Sequence, residues 1–552
     1  MILNRDDYER KVFDVIGDRT KFQIVNDTTD KTLITKLEDK VNKALYKIKQ
    51  NGNITEDHYQ QCYASGTRLG QLYGLPKVHK PDMPVRPILS ACGTHNFSLG
   101  KSLVPLISHL ATNQYTLLNS HQFVLDLKNF NFQNTYMCSL DITSLYTNVP
   151  VGTAIEYILN KCFETVTSLF KGFNLQQFRK LLELSLLDSY FKFGGKIYRQ
   201  LEGLAMGASL SPTVANIFLN SFETDALEAC PPDIKPLFYR RYLDDTFILF
   251  HSENQAKEFF YFINSRHESI KFTFEGEVDA KLPFLDVLVQ RSANGFITHV
   301  YRKNTFSGLG TNYFSNIAHS YKLSSITTLL HRAYNLCSNF RLFHEEISFI
   351  RKYLIQNYYP ERLFDKLVSK FLNKTFSNKP KLITVPKEKF YVELPFIGSQ
   401  QDKLRAEIST LLNKFFPQLD FHFFTKNTFK IGSLFRRTEK PERDLRAFVV
   451  YKYTCDRCQR SYIGSTKVQM FKRIPGHGGY SFRTRQPLSS PENSSIRNHC
   501  LDEDHPFRSD NFTIIDQISG TLMDLRTLES LYIHRERPTL NDNQSAIPLH
   551  LV

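Results

Sequence analysis

Two adjacent carboxylates, Asp244 and Asp245, stand in the middle of the run YRRYLDDTFILF, Tyr239–Phe250. Alternation of Tyr239, Arg241 and Leu243 before the acids, and of Phe247 and Leu249 after them, predicts two short strands with the pair at the turn. Paired carboxylates at a hairpin tip repel each other, and a bound cation is the economical reason to keep them. Alone, such a hairpin is more often a solvated turn. A third carboxylate upstream changes the balance: in SLDITSLYTNVP, Asp141 ends an apolar run that holds Met137 and Leu140, just before a turn. Beside the hairpin it would complete a cage for two Mg²⁺ ions, which about 4 Å apart can activate a 3′-hydroxyl and steady a leaving pyrophosphate. A second constellation suits a different ion. Cys455 and Cys458 form a Cys-x-x-Cys pair, and His499 and His505 follow downstream. Two thiolates and two imidazoles suit a tetrahedral structural Zn²⁺, although 40 intervening residues make this no compact finger. Cys500, next to His499, is a competing ligand.

Elements must bring these groups together. Between the acidic runs lies GLAMGASLSPTVANIFLNSF, in which Ser211 and Pro212 supply an N-cap and a first helical position. Val214, Ile217, Phe218 and Phe222 mark one buried face of that helix. Gly203 and Gly207 ahead of it would let backbone approach a flat ligand closely. Residues 1–70 alternate charged and apolar positions and read as a helical N-terminal region. From 71 to 300, short β-rich runs alternate with helical stretches. A helical, basic region follows over 301–395, then a basic helical linker over 396–446. Within that linker Leu404, Ile408, Leu411, Leu412 and Phe415 take helical spacing and stop at Pro417, before the run FKIGSLFRRTEKPERDLR. Residues 447–552 form a last module of about a hundred residues.

Composition bounds the function classes. A chain of 552 residues suggests two to four domains. Apolar residues at 41% and aromatics at 13%, with 46 Phe and 27 Tyr, exclude a mostly disordered chain. An excess of 70 Lys+Arg over 55 Asp+Glu, +15 in all, points to a polyanionic partner, nucleic acid before anionic membrane. No run of about 18 apolar residues predicts a membrane span, and MILNRDDYERKVFD lacks the apolar core of a secretory signal. Nine scattered cysteines fit reduced thiols and one metal site better than a disulfide framework, hence cytosol or nucleus.

Taken in order, Asp141 with Tyr146 five residues on, then GLAMGASLSP, then YLDD resembles motifs A, B and C of a reverse transcriptase palm. LYGLPKVHKP and VRPILS resemble the fingers motifs that handle an incoming triphosphate. GLPKVHK, LAMGASLSP, YRRYLDDTFILF, LPFLDV and VYRKNTFSGLGTN together are similar to Penelope-like retroelement proteins. The resemblance implies an α/β multidomain chain. A right-hand polymerase of fingers, palm (71–300) and thumb (301–395), related to telomerase, would be followed by a small α+β GIY-YIG endonuclease. It further implies copying of element RNA into DNA from deoxynucleoside triphosphates, on a primer strand in target DNA, in the nucleus after cytoplasmic assembly with RNA. Asp141, Asp244 and Asp245 then resemble the Mg²⁺-binding catalytic acids and Tyr146 the steric gate against ribose. Arg86, Lys77 and Lys80 would hold the triphosphate, and Met206 and Gly207 would line the nucleotide pocket.

The last module resembles the GIY-YIG endonuclease of the same family. Tyr462-Ile463-Gly464 matches half of that name, while Val449-Val450-Tyr451 keeps only the tyrosine of the other half. Arg473 and His477 match the following helix, although Pro475 and Gly476 are poor helix-interior residues. Glu529 matches the ligand of a single Mg²⁺, and Asn541 the late asparagine. By that likeness Arg473 steadies phosphorane charge, and Tyr451, Tyr462 or His477 manages the proton of the attacking water. Two rivals stand beside this reading. One is a polymerase that primes at existing, telomeric ends with an inactive nuclease. The other is a domesticated RNA-binding scaffold without catalysis.

Overall fold

The computed structural model describes residues 3–26, 28–78, 82–130, 135–163, 169–292, 295–376, 387–398, 400–426, 441–490, 494–518 and 521–541. The chain divides into two compact units, each built from separated segments.

The first unit comprises Met1–Asn113, Ser144–Ala226 and Lys440–Val552. Its larger sheet has five strands in the order Phe22–Ile24, Lys196–Gln200, Tyr190–Phe193, Gly70–Pro76 and Val85–Ser90. Neighbours run antiparallel except Gly70–Pro76 and Tyr190–Phe193, which are parallel. Helix Arg5–Ile16 buries Val12 and Ile16 among Phe22, Leu72, Leu89 and Phe191. Helix Asp30–Gln50 is capped by Thr29, whose side chain accepts from the Thr32 N–H. Its Leu33, Ile34, Leu37, Val41, Leu45 and Ile48 recur at the three-and-four spacing that keeps one face dry. Residues 1–70 are therefore mostly helical, as the charge pattern predicts. Phe22–Ile24, however, is an edge strand of the sheet, added by pairing with residues nearly two hundred positions away that local pattern does not reveal.

The last module is a three-stranded antiparallel sheet ordered Ser461–Thr466, Val449–Thr454, Phe512–Gln517. Helices Met470–His477, Ser495–Asp502 and Leu522–Glu536 accompany it. Val449, Tyr451, Tyr453, Met470, Ile496 and Phe512 form its core.

The second unit comprises Gln114–Thr143 and Leu227–Glu439. Four antiparallel strands stand in the order Phe238–Tyr242, Asp245–Phe250, Tyr136–Ile142, Phe272–Gly276. A second sheet of Lys281–Phe284, Val287–Ser292 and Gly295–Val300 shares a core with it, centred on Phe123, Phe247 and Phe284 in edge-on contact. Helices His319–Leu336, Phe340–Gln356 and Glu361–Phe376 then close around Ile326, Leu330, Ile350 and Phe364.

The segment expected as a linker departs from that expectation. Helix Gln401–Phe415 forms as its periodicity predicts, but it joins two parallel strands, Glu388–Pro395 and Leu419–Lys426, in a β–α–β unit. The boundary drawn at 395 therefore separates one strand from its partner. Alternation in LDFHFFTK was the available signal. Residues 427–440 of the expected linker lie outside the described residues. Among the described residues no helix is long and apolar enough to cross a membrane.

Candidate functional site

The paired acids sit where the alternation puts them. Strands Phe238–Tyr242 and Asp245–Phe250 are joined by a two-residue turn, Leu243–Asp244, with Tyr242 opposite Asp245. Leu243 takes φ +56°, a left-handed conformation that costs a branched side chain about 1–3 kcal/mol and persists only where surroundings impose it. Arg241 is part of those surroundings. Its side chain is wholly buried, and its Nη1 donates to the Leu243 carbonyl at 2.9 Å. Its backbone is clasped by Tyr115 O (2.8 Å) and Leu117 N (2.7 Å). The sequence reading used Arg241 only as a strand position and missed this clamp. Its signal was a charged residue in an otherwise inward-facing register.

Asp141 lies on the neighbouring strand with Asp245 as its direct Cα partner. The Asp244 carbonyl accepts from Ile142 N at 3.2 Å, and the Thr246 hydroxyl donates to Leu140 O at 2.9 Å. Register and turn thus bring all three expected carboxylates together. Their proximity is written in Asp245, whose pKa rises from 3.8 to about 6, first through burial, then through repulsion by Asp244 and Asp141. Lys303 opposes the rise. Ionising Asp245 therefore costs stability as pH climbs from the ordinary carboxylate range through about 6. A fold that keeps three acids together at this cost has a donor set suited to hard cations.

The expected nucleotide-binding residues gather in the first unit. Arg86 is exposed on strand Val85–Ser90, opposite Leu75, and Lys77 N donates to Pro84 O at 2.8 Å at the same end of that hairpin. Lys80 lies outside the described residues. Met206 O accepts from Leu89 N at 2.7 Å, and Leu204 N donates to Tyr146 O at 2.6 Å. The loop 203–207 thus bridges the Arg86 strand and the turn of Tyr146. Its glycines make room for close neighbours. At Gly207, φ +118°, a Cβ would overlap the Leu89 carbonyl oxygen. At Gly203 a Cβ would lie 2.7 Å from the Thr147 backbone. At close range they admit the chain's own backbone.

In the last module the expected residues also meet. The Tyr451 hydroxyl is 2.6 Å from His477 Nε2, and Arg473 Nε donates to it at 3.3 Å. Tyr462 lies near both, tilted against Tyr451 with ring centroids 6.5 Å apart and edge-on to His477 at 5.7 Å. Tyr451 pairs across the sheet with Gly464, where a Cβ would stand 2.8 Å from the Tyr451 hydroxyl, so only glycine leaves room for that ring. The helix runs through Pro475 and Gly476 to His477, which is buried and fixed from behind by Ser494 Oγ at 2.8 Å. Burial, then the Arg473 charge, lowers the His477 pKa to about 3, so the imidazole is neutral at physiological pH. Burial pushes the Tyr451 hydroxyl far up. Glu529 accepts from Ser465 Oγ at 2.8 Å, and burial raises its carboxyl against the pull of Ser465 and Arg473. Asn541 spans Ile463 like an extra strand residue, accepting from its N (2.8 Å) and donating to its O (2.7 Å).

Cys455, Cys458, His499 and His505 converge with one ligand atom each, all within 4.8 Å of one another. Cys455 Sγ is 3.4 Å from His505 Nδ1, Cys458 Sγ 3.4 Å from His499 Nε2, and the two histidine nitrogens are 3.3 Å apart. Bond lengths of about 2.3 Å to sulfur and 2.0–2.1 Å to nitrogen in a tetrahedron require edges of roughly 3.4–3.8 Å, so the set fits Zn²⁺. Cys500, the competitor, faces the Tyr453 hydroxyl at 3.5 Å instead.

Residues 78–277 match the family model of reverse transcriptase (RNA-dependent DNA polymerase). The chain carries a reverse transcriptase domain, and Asp141, Asp244 and Asp245 lie within it. Residues 310–368 match the animal helix-turn-helix domain, over the first helices of the stretch expected as thumb; the sequence reading did not identify it. Telomerase from Candida albicans with a TWJ fragment of telomeric RNA is 11% identical, TM-score 0.42, over 56% of this chain and 60% of that one. Telomerase from Candida tropicalis with such a fragment is 11% identical, TM-score 0.37, over 57% and 56%. Sicinivirus 3Dpol RNA dependent RNA polymerase is 13% identical, TM-score 0.38, over 58% and 71%. The chain thus spans less than two thirds of the length of those telomerases. Comparison with curated proteins gives no match.

Proposed function

We propose that the protein is the RNA-directed DNA polymerase of a Penelope-like retroelement, with a GIY-YIG endonuclease that nicks target DNA and so frees the 3′-hydroxyl from which element RNA is copied. The observation that carries the polymerase half is the register setting Asp141 against Asp245 beside Asp244, within the stretch that matches reverse transcriptase. These three carboxylates would hold two Mg²⁺ ions, which when bound activate the primer hydroxyl and offset charge on the leaving pyrophosphate. Arg86 and Lys77 bind the triphosphate, Met206 and Gly207 line the nucleotide pocket, and Tyr146 rejects a ribose 2′-hydroxyl. The helices of 319–376 act as thumb, with the helix-turn-helix match consistent with a nucleic-acid role. The place of action is the nucleus.

In the nuclease half, Glu529 would hold one Mg²⁺, which polarises the scissile phosphate. Arg473 sits one hydrogen bond from Tyr451 and is available to steady the phosphorane. Neutral His477, against the Tyr451 hydroxyl, can take a proton that leaves the attacking water through that hydroxyl. The four Cys and His ligands would hold a structural Zn²⁺ beside this sheet. Purified protein, its RNA and a supercoiled plasmid test the whole reading: target-primed cDNA joined to plasmid DNA is expected, and absence of any primer extension would overturn the polymerase assignment.

Two further results are expected. Tyr146→Val should raise ribonucleotide incorporation at least about tenfold in single-nucleotide extension; unchanged discrimination would make Tyr146 a packing residue. Purified protein should contain one zinc by elemental analysis. Cys455→Ser with Cys458→Ser should remove it and lower the melting temperature of the last module by roughly 10 °C, so that nicking fails before polymerisation. A zinc-free wild type, purified without chelator, would refute the site.

A further inference from the structure

Glu38 is a carboxylate at 4% exposure in helix Asp30–Gln50. Burying an ionised carboxylate is tolerable only when its lone pairs are filled, and the donors come from two distant parts of the chain. Oε1 accepts from Thr67 N (2.9 Å), Thr67 Oγ1 (2.8 Å) and Gln469 Nε2 (3.0 Å), while Oε2 pairs with Lys472 Nζ. Gln469 is wholly buried, and its amide also donates to Thr67 O at 2.9 Å. Its Oε1 meets no donor among the described residues, so Glu38 and Thr67 alone set the orientation of that amide. Flanking pairs reinforce the junction: Asp39 takes two nitrogens of Arg483 (2.6 and 2.7 Å), and Lys31 meets Asp444 at 2.7 Å.

Gln469 immediately precedes helix Met470–His477, and Lys472 is in its first turn, where the helix dipole favours an anion. Arg473, the next residue, reaches the Tyr451 hydroxyl, and His477 ends the same helix. We propose that Glu38 is a positioning residue for the nuclease centre: helix Asp30–Gln50 fixes the start and rotation of the helix that presents Arg473 and His477. This rests on the nuclease reading above.

The test uses the full-length protein. Glu38→Ala should lower kcat for plasmid nicking at least tenfold with KM for plasmid unchanged, leave extension of an annealed primer within twofold, and speed amide exchange over 470–477. Glu38→Gln combined with Lys472→Met keeps acceptors for Thr67 and Gln469 and removes the orphaned charge; it should restore kcat to within about threefold of wild type. Wild-type nicking by Glu38→Ala overturns the proposal, as does joint loss of nicking and primer extension, or failure of the double variant to recover. If the wild-type protein itself does not nick, the nuclease reading fails. Exchange then decides the anchoring alone, and unchanged protection over 470–477 overturns it.

Discussion

Asp244→Asn is expected to reduce cDNA synthesis on an RNA template by at least about a thousandfold, roughly 4 kcal/mol of barrier, while plasmid nicking continues. The substitution removes one charge from a three-carboxylate cluster and leaves side-chain volume nearly unchanged. Because Asp244 repels Asp245, whose pKa is already raised to about 6, the variant should fold at least as stably as wild type above that pH, and Asp245 should ionise more readily. Loss of polymerisation with an undiminished melting temperature is the signature of a metal ligand. Comparable extension by variant and wild type across Mg²⁺ concentrations would sink the assignment.

Glu529→Ala should abolish nicking of closed duplex DNA, again by about a thousandfold, yet leave extension of a supplied primer intact. Ser465 loses the acceptor of its hydroxyl, a cost of about 1 kcal/mol that a half-buried position can recover from water. Supercoiled plasmid separates the outcomes: relaxed circles produced at the wild-type rate would mean that Glu529 is misassigned or that another nuclease is present. A parallel fall in primer extension would mean that the substitution damages the shared first unit rather than one centre.

Much of the candidate site's geometry was legible because it is local. The LDD hairpin, the strand ending at Asp141 and the helix from Ser211 each carry their own alternation or cap, and the side chains at issue lie within a few residues of a turn. The convergence of Cys455, Cys458, His499 and His505 was legible for another reason: metal chemistry restricts ligand type so tightly that distant candidates select themselves. What escaped was long-range or inward. Arg241 looked like one more basic residue, because only burial reveals it as the clamp on Leu243. The glycines of GLAMG implied close approach, but the Leu89 and Thr147 backbone they admit lies outside that local pattern. The parallel pair Glu388–Pro395 and Leu419–Lys426 was hidden behind a helix strong enough to suggest a linker.

Glu38 and Gln469 are separated by 431 positions. At ribosomal rates of about 5–20 residues per second, helix Asp30–Gln50 waits roughly 20–90 s for its partner. During synthesis its acidic pair faces water, and its final contacts close sequence gaps of up to 444 positions, the slowest kind to form. Completion of that contact therefore reports that synthesis has passed Gln469. A chain stopped by a nonsense codon before Gln469 keeps Asp141, Asp244 and Asp245 but leaves Glu38 without Gln469 and Lys472, and Asp39 without Arg483. Quality-control proteases that act on unfinished surfaces would meet such a chain with that helix still open.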